Sequence, residues 1–234
     1  MSELRRIFGE SVFFTNRTAA GRALAERLGA YRGRKDVMVV GIPRGGVPVA
    51  FEVAGALHAP LDVFVVRKLG VPGQEELAFG AIASGGVRVF DAEVVEALGI
   101  SEKDIEMVSA EERTELERRE HAYRGARPPL NVAGMTVIVV DDGIATGSSM
   151  RAAVAALRQL KPARLVVAVP VAPVSTCSRL RTDVDEVVCV YMPESFMAIG
   201  EFYEDFLPVS DETVTDLLRR IPKPAVPQGW MNLD

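Results

Sequence analysis

Several short segments of the chain consist almost entirely of apolar residues and are rich in valine or isoleucine. A continuous apolar run without polar alternation is typical of a strand in a parallel sheet that is covered on both faces. The pattern therefore predicts strands over residues 37–42, 61–66, 135–140, 164–169 and 186–191.

Segments with helical spacing of apolar residues lie between these strands. They cover residues 45–58, 148–160 and 173–181. Strands that alternate with helices through short links predict βαβ units. The fold class is therefore α/β, with an open, mostly parallel twisted sheet flanked by helices, and residues 1–234 are expected to form a single domain.

Three segments depart from this alternation. Residues 77–91 have the pattern of a β-hairpin that turns at 84–86. Residues 101–124 predict a long, charged, inserted helix with Ser101 as its N-cap. The proline-rich tail, 221–234, is expected to be extended.

The composition excludes some broad functions. The chain is 48% hydrophobic and 25% charged, with a formal net charge of −5, which argues against nonspecific nucleic-acid binding. We expect no membrane association and a cytoplasmic protein, because the N-terminus lacks an apolar signal core and no apolar run approaches about 20 residues. Cys177 and Cys189 match no zinc spacing and no disulfide framework, so we interpret them as structural thiols.

The segment "VIVVDDGIATGSSM", residues 137–150, contains the strongest functional signal. Ligands of open α/β sheets bind at the carboxyl ends of strands, where Asp141 and Asp142 are expected. The next loop leads into a helix, whose N-terminal amides can bind a phosphate. The two carboxylates would repel that phosphate and must bind sugar hydroxyls or a divalent cation instead. A turn with a serine cap would explain the glycines, but it would not explain the second carboxylate.

This segment resembles the signature of type I phosphoribosyltransferases, which displace pyrophosphate from phosphoribosyl pyrophosphate (PRPP) with a nitrogen nucleophile. The resemblance implies that Asp141 and Asp142 hold the ribose hydroxyls. It also implies that the following loop binds PRPP, with the 5-phosphate held by the later residues of the series Gly143, Ile144, Ala145, Thr146, Gly147, Ser148 and Ser149. Mg²⁺ would be held mainly by PRPP, with Asp141 or Asp142 assisting indirectly.

Two further segments carry candidate cations. Arg44, Gly45 and Gly46 follow the first predicted strand and resemble the pyrophosphate loop of the family. Arg67 and Lys68 follow the second predicted strand and are expected to point into the same crevice, and residues 69–76 would form a mobile lid. Arg44, Arg67 and Lys68 are the candidate catalytic residues. The alternative for Arg44 is a surface arginine beside an ordinary glycine turn. The alternative for Arg67 and Lys68 is a solvated strand end.

The acceptor is less well indicated. Hypoxanthine-guanine enzymes have an acid/base aspartate where this chain has Ala145, and the Ala-Thr-Gly sequence is more similar to adenine phosphoribosyltransferase. Residues 192–207 resemble the hood of the hypoxanthine-guanine enzymes. Within that hood, Phe196 could stack on a base, and Glu204 or Asp205 could approach pyrophosphate or the ring. The spacing from Phe196 to Gly200 is one residue longer than in those enzymes.

Two functions remain open from the sequence. The first is Mg²⁺-dependent transfer of the phosphoribosyl group to a small heterocyclic acceptor, with a purine favoured, by a homodimer of a bacterial phosphoribosyltransferase-like group. The second is a regulator that binds PRPP or a nucleotide without catalysis, which the alanine at position 145 favours. Arg67, Lys68 and the predicted lid favour the enzyme.

Overall fold

The computed structural model describes residues 4–7, 11–125 and 127–221. Apart from Ile221, the predicted extended tail lies outside the described residues. The strands are β1 Leu4–Ile7, β2 Ser11–Phe14, β3 Val37–Gly41, β4 Leu61–Val63, β5 Val66–Val71, β6 Gln74–Ala83, β7 Val87–Phe90, β8 Thr136–Val140, β9 Arg164–Val171 and β10 Glu186–Tyr191. The helices are α1 Arg17–Arg27, α2 Gly46–Leu57, α3 Ala92–Ala97, α4 Glu102–Arg124, α5 Ser148–Gln159, α6 Val174–Leu180 and α7 Asp211–Arg220.

The central sheet has five parallel strands in the order β10-β9-β8-β3-β4. This confirms the predicted open α/β architecture. The chain passes from β3 through α2 to β4 on one side, and from β8 through α5 to β9 on the other. The direction of winding therefore changes between β3 and β8, and the carboxyl ends of those two strands form the topological switch point at which open α/β sheets bind ligands.

Alternation of side chains along the strands divides the core into two layers. Val37 and Val39 of β3 pack in the layer formed with α1 and α2. Met38 and Val40 face the opposite layer, formed with α5 and α6. Because successive side chains point to opposite faces and both faces are covered, every residue of β3 and β8 is buried. This explains the uninterrupted apolar runs in the sequence.

The predicted second strand, residues 61–66, is wrong in its extent. β4 ends at Val63, and the chain then leaves the central sheet. The Val65 amide donates to Ser84 Oγ at 2.9 Å, and the Ser84 amide donates back to the Val65 carbonyl at 2.9 Å. Val65 thus pairs with the turn after β6, and β5 begins in a separate antiparallel sheet of order β5-β6-β7.

That second sheet confirms the hairpin predicted over residues 77–91, since β6 and β7 pair antiparallel around residues 84–86. It also gives the structure of the segment predicted as a lid. Residues 69–76 belong to a β-hairpin between β5 and β6, with Pro72 and Gly73 at its exposed tip. Leu69 and Val71 are buried in the main core, so this segment is not an irregular loop.

The predicted inserted helix is confirmed as α4. Ser101 Oγ accepts a hydrogen bond from the Asp104 amide at 3.2 Å, which caps the helix as expected. Leu116 and Tyr123 face the core. At the end of α4, Arg124 donates to both carboxylate oxygens of Asp62 in β4, each at 3.0 Å. This buried ion pair fastens the inserted helix to the central sheet.

The sequence pattern did not predict six elements: β1, β2, β5, α1, α3 and α7. The predicted hood, residues 192–207, is mostly irregular, with a short 3₁₀ helix at Ile199–Phe202. Phe202 and Tyr203 of this segment pack with Phe14 of β2 in a small aromatic cluster. None of the helices in the described part of the chain is long and apolar enough to span a bilayer.

Replacement of Arg124 tests the ion pair that anchors α4. Asp62 is 2% exposed, and Arg127 Nη1 lies 3.9 Å from it. Arg124→Met should therefore lower the free energy of unfolding by about 3 kcal/mol, because a buried carboxylate loses its bidentate partner. Arg118→Met, on the exposed face of α4, is the matched control and should change stability little. Equal effects of the two replacements in urea unfolding would contradict the anchoring role.

Candidate functional site

The loops that follow β3 and β8 meet at the switch point with almost no space between them. A Cβ atom at Gly45 would lie 2.0 Å from Asp142 Oδ2, and one at Gly46 would lie 2.7 Å from the Val140 carbonyl oxygen. At such distances a neighbouring atom must move: a side chain at position 46 would meet backbone, and one at position 45 would displace the Asp142 carboxylate. The structure thus brings the predicted pyrophosphate loop and the aspartate pair into one site.

The two aspartates are held differently. Asp142 is 7% exposed, and its Oδ2 accepts a hydrogen bond from Arg17 Nε at 2.8 Å. The Tyr203 hydroxyl donates to the Asp142 carbonyl at 2.5 Å. Asp141 is partly exposed, and its Oδ1 accepts from the Asp142 amide at 2.9 Å. These contacts fix the orientation of both carboxyl groups before any ligand binds.

The environment of the pair disfavours negative charge. Burial raises the pKa of Asp141 well above its ordinary value, and the neighbouring Asp142 charge raises it further. Burial also raises the pKa of Asp142, although the hydrogen bond and charge of Arg17 oppose that shift. Two carboxyl groups in such an environment cost stability, and this is common at functional sites.

One oxygen of each carboxyl group is left for a ligand. The two carboxyl groups interact with each other, and no other described residue donates a hydrogen bond to Asp141 Oδ2 or Asp142 Oδ1. Both oxygens are accessible to solvent. If they were buried without a partner they would be unsatisfied, and the one such side-chain atom among the described residues is Ser109 Oγ. The free oxygens can therefore accept hydrogen bonds from ligand hydroxyls.

The loop from Gly143 to Ser149 is bonded to the rest of the protein on one side and exposed to solvent on the other. The Ile144 amide donates to the Val171 carbonyl at 3.0 Å, and Thr176 Oγ1 donates to the Ala145 carbonyl at 2.8 Å. Gly147, with φ +82°, places the turn that starts α5. The side chains that face solvent are those of Ala145, Thr146, Ser148 and Ser149. The loop thus presents amides and hydroxyls at a helix N-terminus, where anions bind.

Arg17 is the site residue that the sequence did not identify. Besides Asp142, it donates to the Leu207 carbonyl at 2.8 Å and lies 3.9 Å from the centre of the Phe206 ring. It thereby connects the aspartate pair to the hood. One signal was available, because Arg17 opens α1 and a cation is unfavourable at a helix N-terminus. That signal depends on predicting α1, which the apolar pattern did not indicate.

Arg44 lies at the predicted loop, with a half-exposed side chain. Its Nη1 is 3.8 Å from Asp211 Oδ1 at the start of α7, and the Pro43–Arg44 peptide bond is cis. The Tyr123 hydroxyl also donates to Asp211 at 2.7 Å, and burial together with this hydrogen bond raises the pKa of Tyr123 to about 12. Asp211 therefore has a short hydrogen bond from Tyr123, whereas its ion pair with Arg44 is long and holds the Arg44 side chain only weakly.

The position predicted for Arg67 and Lys68 is wrong, because both lie within β5 and not at the end of a central strand. Arg67 Nε donates to Glu112 of α4 at 2.5 Å, so its charge is already paired. Lys68 is exposed and forms no ion pair with any residue that the structure describes.

The candidate acceptor residues in the hood are already in contact with protein. The Phe196 ring stacks on Phe202 with centroids 5.3 Å apart. The Asp205 carboxylate accepts from the Leu207 amide at 3.2 Å, and the Asp205 amide donates to the Thr15 carbonyl at 3.0 Å. These contacts hold the hood against the start of α1.

Comparison with known proteins identifies the family. A family model described as the phosphoribosyl transferase domain matches residues 15–206. Two strains of Mycobacterium tuberculosis have a protein, provisionally named a phosphoribosyl transferase, that is 46% identical over 207 residues, or 88% of this chain. The crystal structure of TT1426 from Thermus thermophilus is 42% identical, with a TM-score of 0.81, and the match covers 89% of this chain and 99% of that one.

The chain therefore belongs to the phosphoribosyltransferase family. It spans about half the length of the curated relatives it matches, since the alignment covers 46% of the mycobacterial proteins.

Glycine 45 provides a direct test of the contact between the two loops. Gly45→Ala should lower the free energy of unfolding by about 1–3 kcal/mol, because the new methyl group displaces the Asp142 carboxylate. Gly55→Ala in α2 is the control, since nothing lies within 4 Å of its Cβ position, and it should be neutral or stabilising by about 1 kcal/mol. A harmless Gly45→Ala in urea unfolding would contradict the close approach.

Asp141→Asn should stabilise the protein. The folded protein favours the neutral form of Asp141, whereas the unfolded chain ionises this group at the ordinary carboxyl pKa. The free energy of unfolding therefore falls as the pH rises above that ordinary pKa. The asparagine removes this loss and keeps the acceptor for the Asp142 amide. The melting temperature should therefore rise more at pH 8 than at pH 5, by about 2–4 °C for each kcal/mol recovered. A lower melting temperature at pH 8 would show that the carboxylate is not held at a cost.

Proposed function

We propose that the protein transfers the 5-phosphoribosyl group from PRPP to a nitrogen of a nucleobase-like acceptor, with release of pyrophosphate. A purine is the favoured acceptor class. The observation that carries the proposal is the junction of the two loops at the switch point, where Gly45 and Gly46 touch Asp142 and Asp141. The ribose and pyrophosphate halves of PRPP need two adjacent sites of this kind.

The ribose 5-phosphate half would bind to the loop after β8. The free oxygens of Asp141 and Asp142 would accept hydrogen bonds from the ribose 2- and 3-hydroxyls. The amides of residues 145–149 and the exposed hydroxyls of Thr146, Ser148 and Ser149 would donate to the 5-phosphate. Arg17 remains on the other oxygen of Asp142 in this arrangement, because a carboxylate has room for several donors.

The pyrophosphate half would lie over Gly45 and Gly46. Arg44 would turn from Asp211 to the departing phosphates, since the present contact is long and half-exposed. Lys68, which has no partner among the described residues, is a second candidate. Arg67 is a weaker one, because it would have to leave Glu112. These cations would stabilise the leaving group as the C1–O bond breaks.

A magnesium ion fits this site only if the substrate completes its coordination. The described residues contain no group of three or more His, Cys, Asp or Glu side chains able to hold a metal. Mg²⁺ in phosphoryl-ligand sites commonly uses one or two carboxylates plus substrate oxygens, and Asp141 and Asp142 can supply these. Bound in this way, the ion would neutralise charge on the pyrophosphate.

Ala145 leaves the proton acceptor unassigned. Its side chain is exposed and its carbonyl is bonded to Thr176, so no acid/base group occupies this position. Asp205 could act only after releasing the Leu207 amide. This feature supports a second candidate function, a regulator that binds PRPP or a nucleotide without turnover.

Calorimetry with PRPP and Mg²⁺ tests the binding site. The double change Asp141→Asn and Asp142→Asn should weaken binding on the order of 100-fold, since two charge-assisted hydrogen bonds are lost. Glu106→Gln, an exposed residue of α4, is the control and should bind normally. Unchanged affinity in the double variant would remove the aspartates from the site.

A screen of purines, pyrimidines and small nitrogen heterocycles, read out as pyrophosphate release, decides between the two functions. We expect release that depends on one acceptor and on Mg²⁺, because the proposed site places the ribose-binding carboxylates next to the loop for pyrophosphate. Tight PRPP binding without turnover across the panel would favour the regulator.

A further inference from the structure

The side chain of Arg17 has three partners in different directions. Its Nε donates to Asp142 Oδ2 at 2.8 Å, and its Nη1 donates to the Leu207 carbonyl at 2.8 Å. The flat face of the guanidinium lies over the Phe206 ring, with its central carbon 3.9 Å from the ring centre. The Arg17 and Asp142 side chains are 12% and 11% exposed. The guanidinium is therefore fixed in one orientation, with its charge largely shielded from water.

This arrangement needs an arginine. A lysine carries the same charge, but its ammonium group cannot donate in two fixed directions while a flat face stacks on an aromatic ring. Local structure gives no reason for a cation here, because Arg17 is the first residue of α1 and a helix N-terminus disfavours positive charge. Asn16 already caps the helix by accepting from the Ala19 amide at 3.0 Å. The distant contacts of Arg17 therefore account for the arginine.

The hood is bonded to the residues that precede Arg17. The Glu204 amide donates to the Phe14 carbonyl at 2.9 Å, and the Asp205 amide donates to the Thr15 carbonyl at 3.0 Å. These two hydrogen bonds join backbone atoms, so they do not depend on which side chain occupies position 17. The hood and the start of α1 therefore form one bonded unit.

This unit holds Asp142 at both its backbone and its carboxylate. The Tyr203 hydroxyl donates to the Asp142 carbonyl at 2.5 Å, and Arg17 donates to Oδ2. Apart from the interaction between the two carboxyl groups of the aspartate pair, no described residue donates to Asp142 Oδ1. Because Arg17 occupies one oxygen, rotation of the carboxylate is restricted, and Oδ1 is the oxygen presented to a ligand.

We propose that Arg17 is a positioning residue for the sugar half of the site. It holds Asp142 so that Oδ1 faces the ribose hydroxyls, and it makes this orientation depend on the position of the hood. A carboxylate that is oriented in advance need not be ordered when the ligand binds. Arg17 acts through Asp142 and does not touch the ligand itself. The effect on sugar binding rests on the proposed function, whereas the coupling between Asp142 and the hood does not.

Calorimetry with ribose 5-phosphate and with inorganic pyrophosphate, each with Mg²⁺, tests the positioning role. Arg17→Met should weaken ribose 5-phosphate binding about tenfold, because the Asp142 carboxylate is no longer held. Pyrophosphate, which is proposed to lie over Gly45 and Gly46, should bind within about twofold of normal. Arg17→Lys, which returns the charge, should recover most of the lost affinity. Arg27→Met, an exposed residue at the other end of α1, is the control and should bind both ligands normally.

Each other pattern of binding would overturn the positioning role. Equal loss of both ligands would indicate a general loss of structure, and loss of pyrophosphate alone would indicate a direct contact with the leaving group. Normal binding of ribose 5-phosphate by Arg17→Met would show that Asp142 is oriented without Arg17, and the proposed function would stand in that case.

A double variant covers the case in which Arg17→Met alone does not fold. Asp142→Asn removes the buried carboxylate that would lose its partner, so the combination leaves no uncompensated charge. If Arg17 acts through Asp142, adding Arg17→Met to Asp142→Asn should weaken ribose 5-phosphate binding by less than about twofold. A further loss of about tenfold would show an independent role and would overturn the proposal.

Hydrogen exchange of the ligand-free protein tests the coupling to the hood. Arg17→Met should speed amide exchange at residues 204–207 at least about fivefold, since the hood loses its contact through Leu207. Residues 164–169 of β9 should exchange as before. Arg17→Lys should leave exchange in the hood fast even where it restores sugar binding, because lysine cannot reach both partners at once. Unaltered exchange in the hood would overturn the coupling.

Asp142→Asn should also speed exchange at residues 204–207, since Arg17 then loses the charged partner that fixes it. If the unaltered protein binds neither ribose 5-phosphate nor PRPP, the proposed function fails. The exchange of the two single variants then still decides whether Arg17 connects Asp142 to the hood.

Discussion

The contact of two glycines with two aspartates is the constraint on which the rest of the site depends. β3 and β8 are neighbours in the sheet, so the loops at their carboxyl ends must share a narrow space. That space is available only because Gly45 and Gly46 have no side chains. The close approach places the backbone of Gly45 and Gly46 beside the carboxyl groups that are proposed to hold the sugar. A chain without this approach would have two separate loops and no continuous site for a sugar diphosphate ligand.

The same constraint explains why the site costs stability. Asp142 is buried by the approach of Gly45 and is compensated by Arg17, which itself is held by the hood through Leu207 and Phe206. Asp141 has no such cation among the contacts of the described residues, and burial and the neighbouring Asp142 charge raise its pKa the more strongly. The hood, the first turn of α1 and the aspartate pair therefore form one connected unit. A ligand that supplies hydroxyl donors or a metal ion would relieve part of the unfavourable charge.

Much of the architecture follows from local sequence patterns. The apolar strands, α2, α5 and the charged helix α4 were predictable because burial on both faces, or a polar surface with a clear cap, leaves a strong local signal. The end of β4 was not, because the exchange of hydrogen bonds between Val65 and Ser84 involves residues far apart in sequence. The aspartates and glycines of the site were identified from their motifs, but the role of Arg17 was not. Its contacts with Asp142 and Leu207 span 125 and 190 residues, and no local pattern encodes such pairs.

The central claim is that one crevice divides the binding of a sugar phosphate between two carboxylates and a helix N-terminus. The most direct measurement is a crystal structure of the protein soaked with PRPP and Mg²⁺. The account predicts the 5-phosphate at the amides of residues 145–149, the ribose hydroxyls at Asp141 and Asp142, and the diphosphate over Gly45 and Gly46. A sugar phosphate bound elsewhere, with the Asp142 carboxylate still enclosed and the start of α5 covered by protein, would contradict it.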